Sequence, residues 1–241
     1  MSSALPDARR LDYHYIAMQT GFWAMFAAVC AYQAALLTAR GFTNGEAGML
    51  IAVRCLAGIV CQPALGSFAD RHPGIPLRRI VSLSLVLSLA ASLVFLLFPM
   101  GMAGTIAVLV VMGGFEISSY PLMDAMAIQF ISLGVPIRYS LGRGIGSFSY
   151  AVVCIFLGLQ VTRFGVESTL ITHALLVALE IALVATYPPA PRDPRLPMRR
   201  GSPTPCSGCC GRIPPSPSCC WPFFWASPAA CPCPISWSTW W

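Results

Sequence analysis

Apolar residues fill six long runs between positions 15 and 187, and polar residues collect in the short breaks between them. The runs cover 15–39, 45–68, 80–98, 102–132, 143–163 and 168–187. Each has about the 20 mostly apolar residues that a helix needs to cross the hydrocarbon core of a bilayer. The breaks read Arg40-Gly-Phe-Thr-Asn, Asp70-Arg-His-Pro-Gly, Pro99-Met-Gly, Gly134-Val-Pro-Ile-Arg and Gly165-Val-Glu, all polar or marked by Gly and Pro. A backbone in lipid must satisfy its own hydrogen bonds, so runs of this length predict helices. The pattern predicts an all-α membrane protein with six transmembrane helices. The first run is too long for a cleavable signal peptide, and no small-residue cleavage site follows it.

Composition agrees and narrows the class. Of 241 residues, 56% are hydrophobic and only 10% charged, against roughly 25% charged in an ordinary soluble domain. A water-soluble globule and a wholly disordered chain are both excluded. The net charge of +6 comes from fifteen Arg with no Lys. These Arg lie between apolar runs and not in an aromatic-laced basic patch, so no nucleic-acid partner is expected. They orient the chain instead. With the N-terminus inside, Arg9, Arg10, Arg71, Arg78, Arg79, Arg138, Arg192, Arg195, Arg199 and Arg200 fall on the cytoplasmic side, and only Arg40 and Arg163 outside. The expectation is a multi-pass protein of the cytoplasmic (inner) membrane with both termini cytoplasmic.

Near residue 190 the composition changes. Fourteen of twenty-one Pro, seven of eleven Cys and five of six Trp lie at or beyond Pro188. The expected division is a cytoplasmic segment 1–14, a six-helix unit 15–187 and a Pro/Cys/Trp-rich tail 188–241. Segments such as Pro203-Thr-Pro-Cys-Ser-Gly-Cys-Cys have neither helical nor strand period. Cys206, Cys209 and Cys210 lack the paired spacing and the His of a zinc site, and disulfides do not suit a reducing cytosol. No metal and no cofactor is expected. The composition of the tail is that of an out-of-frame reading of a GC-rich coding region.

Ionisable residues inside spans are costly and face a partner or a cavity. Here they are Arg54, Glu116, Asp124, Arg143 and Glu180, with His173. Glu116, Tyr120 and Asp124 recur every four residues and share a face of the fourth span. Arg143, Ser147, Tyr150 and Cys154 form a second stripe on the fifth. The two spans run in opposite directions, so Asp124 and Arg143 both fall in the cytoplasmic half, where they can pair across a cavity. Arg offers a planar fork of donors to a hydroxylated ligand. A structural pair, or an Arg143 that snorkels to the headgroups, is the alternative. Arg54 and Glu116 suit a pair with each other as well as a site. Glu180 is expected near the inner interface, and His173 as a packed residue. Gly142, Gly144 and Gly146 predict close helix approach.

Two motifs carry a resemblance. Gly66-Ser-Phe-Ala-Asp70-Arg71, followed by Arg78-Arg79, resembles the loop between spans two and three of the major facilitator superfamily, although the stretch before the Arg pair is longer and contains Pro. Pro121-Leu-Met-Asp124 with Tyr139-Ser-Leu-Gly-Arg143-Gly-Ile-Gly146-Ser147-Phe-Ser-Tyr150 is similar to spans four and five of its galactoside-permease and phenylpropionate-permease branch. That branch implies an acid–Arg pair at Asp124 and Arg143, small residues at Gly146 and Ser147, and a stacking aromatic at Tyr150, where Tyr replaces Trp. The acid-to-Arg interval is one residue longer here, and Asp is shorter than the permease Glu.

The resemblance implies the N-terminal half of a twelve-helix fold, with three-plus-three inverted repeats. The function it implies is secondary active transport, a truncated proton-coupled symporter for uptake or efflux of a small hydroxylated or carboxylated solute. Substrate contacts are expected at Asp124, Arg143, Ser147, Tyr150 and Glu116, with Gly66, Asp70, Arg71, Arg78 and Arg79 as the conformational loop motif. Expected partners are the solute, protons, the lipid bilayer and a second six-helix half. The competing class is a non-transporting membrane scaffold or solute-binding half-protein. An enzyme is disfavoured, since neither a nucleophile–base pair nor a His-rich metal motif appears. The Arg asymmetry yields a direct check: reporters fused after Asp70 or Arg200 read cytoplasmic and one after Thr43 external. An external signal at Arg200 breaks the six-span topology.

Overall fold

The computed structural model describes residues 7–190. The unpatterned tail beyond residue 190, with the seven Cys that bear on a metal site, lies outside the described residues. Among these residues every regular element is a helix: α1 Ala8–Cys30, α2 Gln33–Ala39, α3 Asn44–Arg71, α4 Leu77–Leu97, α5 Met102–Ser132, α6 Tyr139–Phe164 and α7 Ser168–Thr186. Taking α1 and α2 as one unit, six are long and apolar enough to cross a membrane, in register with the six runs of the sequence.

The helix ends have local causes. Asp7 accepts the backbone N–H of Arg9 at the start of α1, seven residues before the apolar run begins. Thr43 and Glu46 exchange side-chain and backbone hydrogen bonds in a capping box that opens α3. Gly134 and Gly165, at φ +84° and +80°, stop α5 and α6 in the left-handed region. Besides the early start of α1, three features depart from the sequence reading. The fifth span begins at Tyr139 and not Arg143, because the helix continues a turn beyond the apolar run. The first is interrupted at Ala31–Tyr32. Gly66, Asp70 and Arg71 lie in the last turns of α3 and Arg78 and Arg79 in the first turn of α4, so the expected loop motif is mostly helical.

The principal packing pairs are α3 with α5, α1 with α6, α4 with α5, α1 with α7 and α4 with α7. Exchanging the first three spans for the last three maps this set onto itself. Three spans starting from one end and three from the other therefore make equivalent contacts, as an inverted repeat requires. Two apolar clusters form the core. One, around Tyr15, Met18, Val81, Met123 and Val184, lies at the arginine-rich end. The other, around Leu37, Leu50, Phe95, Met112 and Leu170, lies at the Arg40 end. Between them stands a layer of buried polar side chains, including Gln33, Arg54, Ser88, Ser92, Glu116 and His173.

Helix α5 is the central strut. Pro121 lacks an N–H and so frees the carbonyl of Ile117, which accepts instead from Gln62 Nε2 of α3 at 3.4 Å. Close approach of the same two helices needs Gly113, where a Cβ would collide with the backbone carbonyl of Arg54. Of the three glycines expected to admit a neighbour on α6, Gly142 and Gly146 do so, against Tyr15 and Trp23, while Gly144 faces open space. Gly113→Ala is therefore expected to destabilise the purified protein by about 1–3 kcal/mol through overpacking. Gly144→Ala should unfold at no lower temperature than the parent in the same thermal scan.

Candidate functional site

Two ion pairs form inside the bundle, and both use α5. Toward the arginine-rich end, Asp124 is 8% exposed and takes four donors. They are Arg143 Nη1 at 2.8 Å, Gln19 Nε2 at 2.8 Å, Tyr139 Oη at 3.0 Å and Tyr15 Oη at 3.1 Å. Four donors match the roughly four lone-pair positions of a carboxylate. The Arg143 guanidinium lies 5.3 Å from the Tyr120 ring centre and 5.7 Å from that of Tyr139, within cation–π range. Its side chain nevertheless remains 44% exposed. Among the described residues only its Nη1 is engaged, which leaves the rest of the fork open.

One and two turns along α6 from Arg143, Ser147 and Tyr150 join Trp23 and Phe26 of α1 around a cleft of about 330 Å³. Trp23 meets Tyr150 and Tyr120 edge-on, at 6.2 and 5.5 Å between ring centres. The cleft is thus an aromatic wall beside a partly open guanidinium. Such a surface suits a ring with an apolar face and hydroxyl or carboxyl groups at its edge.

The second pair sits at mid-bundle. Arg54 Nη2 lies 3.2 Å from Glu116 Oε2, with side chains 1% and 0% exposed. His173 Nε2 is 3.6 Å from the same oxygen, and its Nδ1 is 3.0 Å from Ser92 Oγ. Cys30 and Gln33 complete the surround through Arg54 Nη1. This cluster is less well satisfied than the first: Glu116 Oε1, Arg54 Nε, Gln33 Nε2 and His173 Nε2 have no hydrogen-bond partner among the described residues.

Of the expected substrate contacts, the structure brings Asp124 and Arg143 together and sets Ser147 and Tyr150 in the cleft one and two turns further along α6. Glu116 is not part of that group. Two helical turns away, it faces α3 and α7 and is closed from solvent. His173 is packed, as expected. Glu180, six residues before the end of α7, lies 0% exposed against α1, with its carboxyl group turned toward Gly21. Asp70 and Arg71 are exposed and hold no ion pair among the described residues, and a Cβ at Gly66 would meet nothing within 4 Å. Arg78 donates to the Tyr187 carbonyl at 3.1 Å. Beyond the spans, Asp12 takes Arg138 at 2.6 Å, and this hydrogen-bonded partner raises the guanidinium pKa further.

The contribution of α1 was not anticipated. Tyr15, Gln19, Trp23, Phe26, Cys30 and Gln33 recur at steps of four and three, a helical seam that touches both ion pairs. The signal was present in the sequence, but neutral polar and aromatic residues do not stand out in an apolar run as charges do.

An all-helical bundle with six membrane-length spans, buried charge pairs and an aromatic-walled cleft is a multi-pass membrane protein of the transporter type. The chain matches the MFS_1 like family over residues 15–198 and belongs to it. No curated protein matches the chain.

The two pairs differ in exposure, and so in what their removal costs. Glu116→Gln or Arg54→Met alone leaves a buried partner without its counter-charge, which costs about 3–5 kcal/mol. The double replacement Arg54→Met with Glu116→Met should recover most of that loss in thermal unfolding of the purified protein. Arg143→Ala should cost less than either single replacement, since its side chain is 44% exposed and Asp124 keeps three neutral donors.

Proposed function

We propose that residues 15–187 are the N-terminal half of a proton-coupled major facilitator carrier, of the galactoside- and phenylpropionate-permease type, for a small hydroxylated or carboxylated solute. The carrier reading places both termini on the cytoplasmic side of the cytoplasmic membrane and a second six-helix unit across the cleft. The observation that supports it best is the half-open Asp124–Arg143 pair beside the Trp23–Phe26–Ser147–Tyr150 cleft. The buried face of the pair is saturated, and its exposed face still has donors to offer.

A solute hydroxyl or carboxylate binds the free part of the Arg143 fork, while Asp124 holds that fork in place and can accept from a hydroxyl. Trp23 and Tyr150 supply ring faces, and Ser147 adds a hydroxyl at the rim. At about 330 Å³, the cleft sits at the low end of the range for small-molecule sites. Transport by rocking needs a second half around the same site, so the chain alone supplies binding and the pair of halves supplies translocation. Gly66, Asp70, Arg71, Arg78 and Arg79 belong in this reading to the hinge side facing the cytoplasm.

Binding is measured with a panel of glycosides, nucleosides and aromatic carboxylates on the purified chain. Asp124→Ala and Arg143→Ala should each weaken the best ligand by at least roughly 30-fold, the lower end for breaking a hydrogen-bonded charge contact. Arg143→Lys should fail as well, because an ammonium lacks the planar fork. Tyr150→Phe should bind nearly as the parent and Tyr150→Ala poorly. Full ligand binding by a double Asp124→Ala, Arg143→Ala protein removes both residues from the site and leaves a structural pair.

A further inference from the structure

Glu180 is a titratable group that no contact so far explains. It is 0% exposed on α7, and neither carboxyl oxygen has a hydrogen-bond partner among the described residues. One oxygen presses on α1 at Gly21, where any Cβ would collide with it; Leu183 is the next neighbour. Every other buried carboxylate of the bundle has a cation: Asp12 has Arg138, Glu116 has Arg54 and Asp124 has Arg143.

The groups on the surrounding elements are committed elsewhere. On α1, His14 Nε2 lies 2.8 Å from the Leu183 carbonyl, Tyr15 donates to Asp124 and Asp12 is held by Arg138 at the start of α6. On α4, Arg78 donates to the Tyr187 carbonyl, Ser84 to the carbonyl of Ile80, and Ser88 has no hydrogen-bond partner among the described residues. On α7 itself, His173 faces Ser92 and Glu116. Among the described residues no cation reaches Glu180. An ionised carboxylate so enclosed costs many kcal/mol, whereas the neutral acid costs only its unmade hydrogen bonds.

We propose that Glu180 is a proton-binding site: it carries a proton while α1 and α7 are packed as seen here, and releases it to water when that seam opens. The chemistry is a plain acid dissociation, in which the O–H bond breaks, the carboxylate keeps the electron pair and the proton goes to bulk water. The nearest way out is the arginine-rich end, where His14 and Thr186 lie beside Leu183, one turn from Glu180. The placement couples this site to the cleft. Gly21 is two residues from Gln19 and from Trp23, so Glu180 lies on the opposite side of α1 from the face that holds Asp124 and lines the cleft. A charge at Glu180 demands water or a cation and so drives α1 off α7, moving the helix that carries Tyr15, Gln19, Trp23 and Phe26. The site deepens the carrier reading by naming where this half takes the coupling ion, and it rests on that reading only for its purpose.

The test uses the purified full chain without any solute, so its outcome is independent of whether the chain binds or transports one. Infrared difference spectra recorded while the pH is raised should show one protonated-carboxyl C=O band that disappears, absent in Glu180→Gln and retained in Glu46→Gln. In the same pH series, amide hydrogen exchange of α1 and α7, corrected for its intrinsic pH dependence, should rise in the parent and stay flat in Glu180→Gln. Glu180→Gln and Glu180→Leu should both fold with a thermal midpoint at neutral pH no lower than that of the parent, because the packed seam uses no charge there. Identical infrared titrations for parent and Glu180→Gln, an undiminished exchange rise in the variant, or failure of both neutral variants to fold each overturn the proposal.

Discussion

A charge held in a bilayer must find its partner inside the protein, and in this bundle both carboxylates of α5 meet that constraint. Glu116 and Asp124 are two turns apart on one helix. A guanidinium from α3 reaches the first and one from α6 reaches the second. Because α3 and α6 occupy equivalent places in the two repeats, the same architectural position supplies the cation each time. Helix α1 and the start of α2 supply what the cations leave unfilled, Cys30 and Gln33 at one level and Gln19 and Tyr15 at the other. The small residues follow from the charges. Gly113 lets α3 close on α5 at Arg54, and Gly142 and Gly146 let α6 close on α1 beside Asp124.

Similar chemistry at the two levels has different consequences because exposure differs. The Arg54–Glu116 pair is sealed, and a sealed pair is chiefly a liability whose breakage is costly. The Arg143 side chain is nearly half exposed while Asp124 is closed. That asymmetry is what a ligand site needs: one partner fixed by several hydrogen bonds, the other still able to take a new contact. Sequence position alone does not separate the two pairs, since all four residues are charges inside apolar runs. Accessibility does.

The apolar periodicity made the number of spans, their order and the inward-facing charges legible, since a hydrocarbon solvent leaves few alternatives to a helix. Asp124 and Arg143 were legible as a pair because two antiparallel spans bring them to the same depth. The fine boundaries were not, because helix ends are set by Asp7, the Thr43–Glu46 box and Gly165 and not by where hydropathy falls. The Tyr15–Gln33 seam was missed for a related reason: its members are neutral, and their importance comes from what they touch. Glu116 looked like a neighbour of Asp124 on a shared face, but a stripe eight residues long spans about 12 Å, enough to face different helices at its two ends. That Glu180 turns inward against Gly21 was not legible, since nothing in its own run marks the missing partner.

Helix α1 draws these features together. One face meets α6 and carries the side chains that hold Asp124 and wall the cleft; another meets α7 and covers Glu180. The two contacts are of opposite character. The α6 side is held by directed hydrogen bonds and by ring contacts over glycines, so it defines one geometry closely. The α7 side has its directed contact at His14, whose Nε2 lies 2.8 Å from the Leu183 carbonyl, and otherwise rests on packing around a carboxyl group that no donor among the described residues serves, so its strength depends on that group staying neutral. A rigid helix with one specific and one conditional interface can move as a body when the conditional one fails, and it carries the specific one with it. Motion of α1 then displaces Gln19 and Tyr15 from Asp124, and the carboxylate left with fewer donors leans harder on Arg143, the partner whose side chain is also open to solvent.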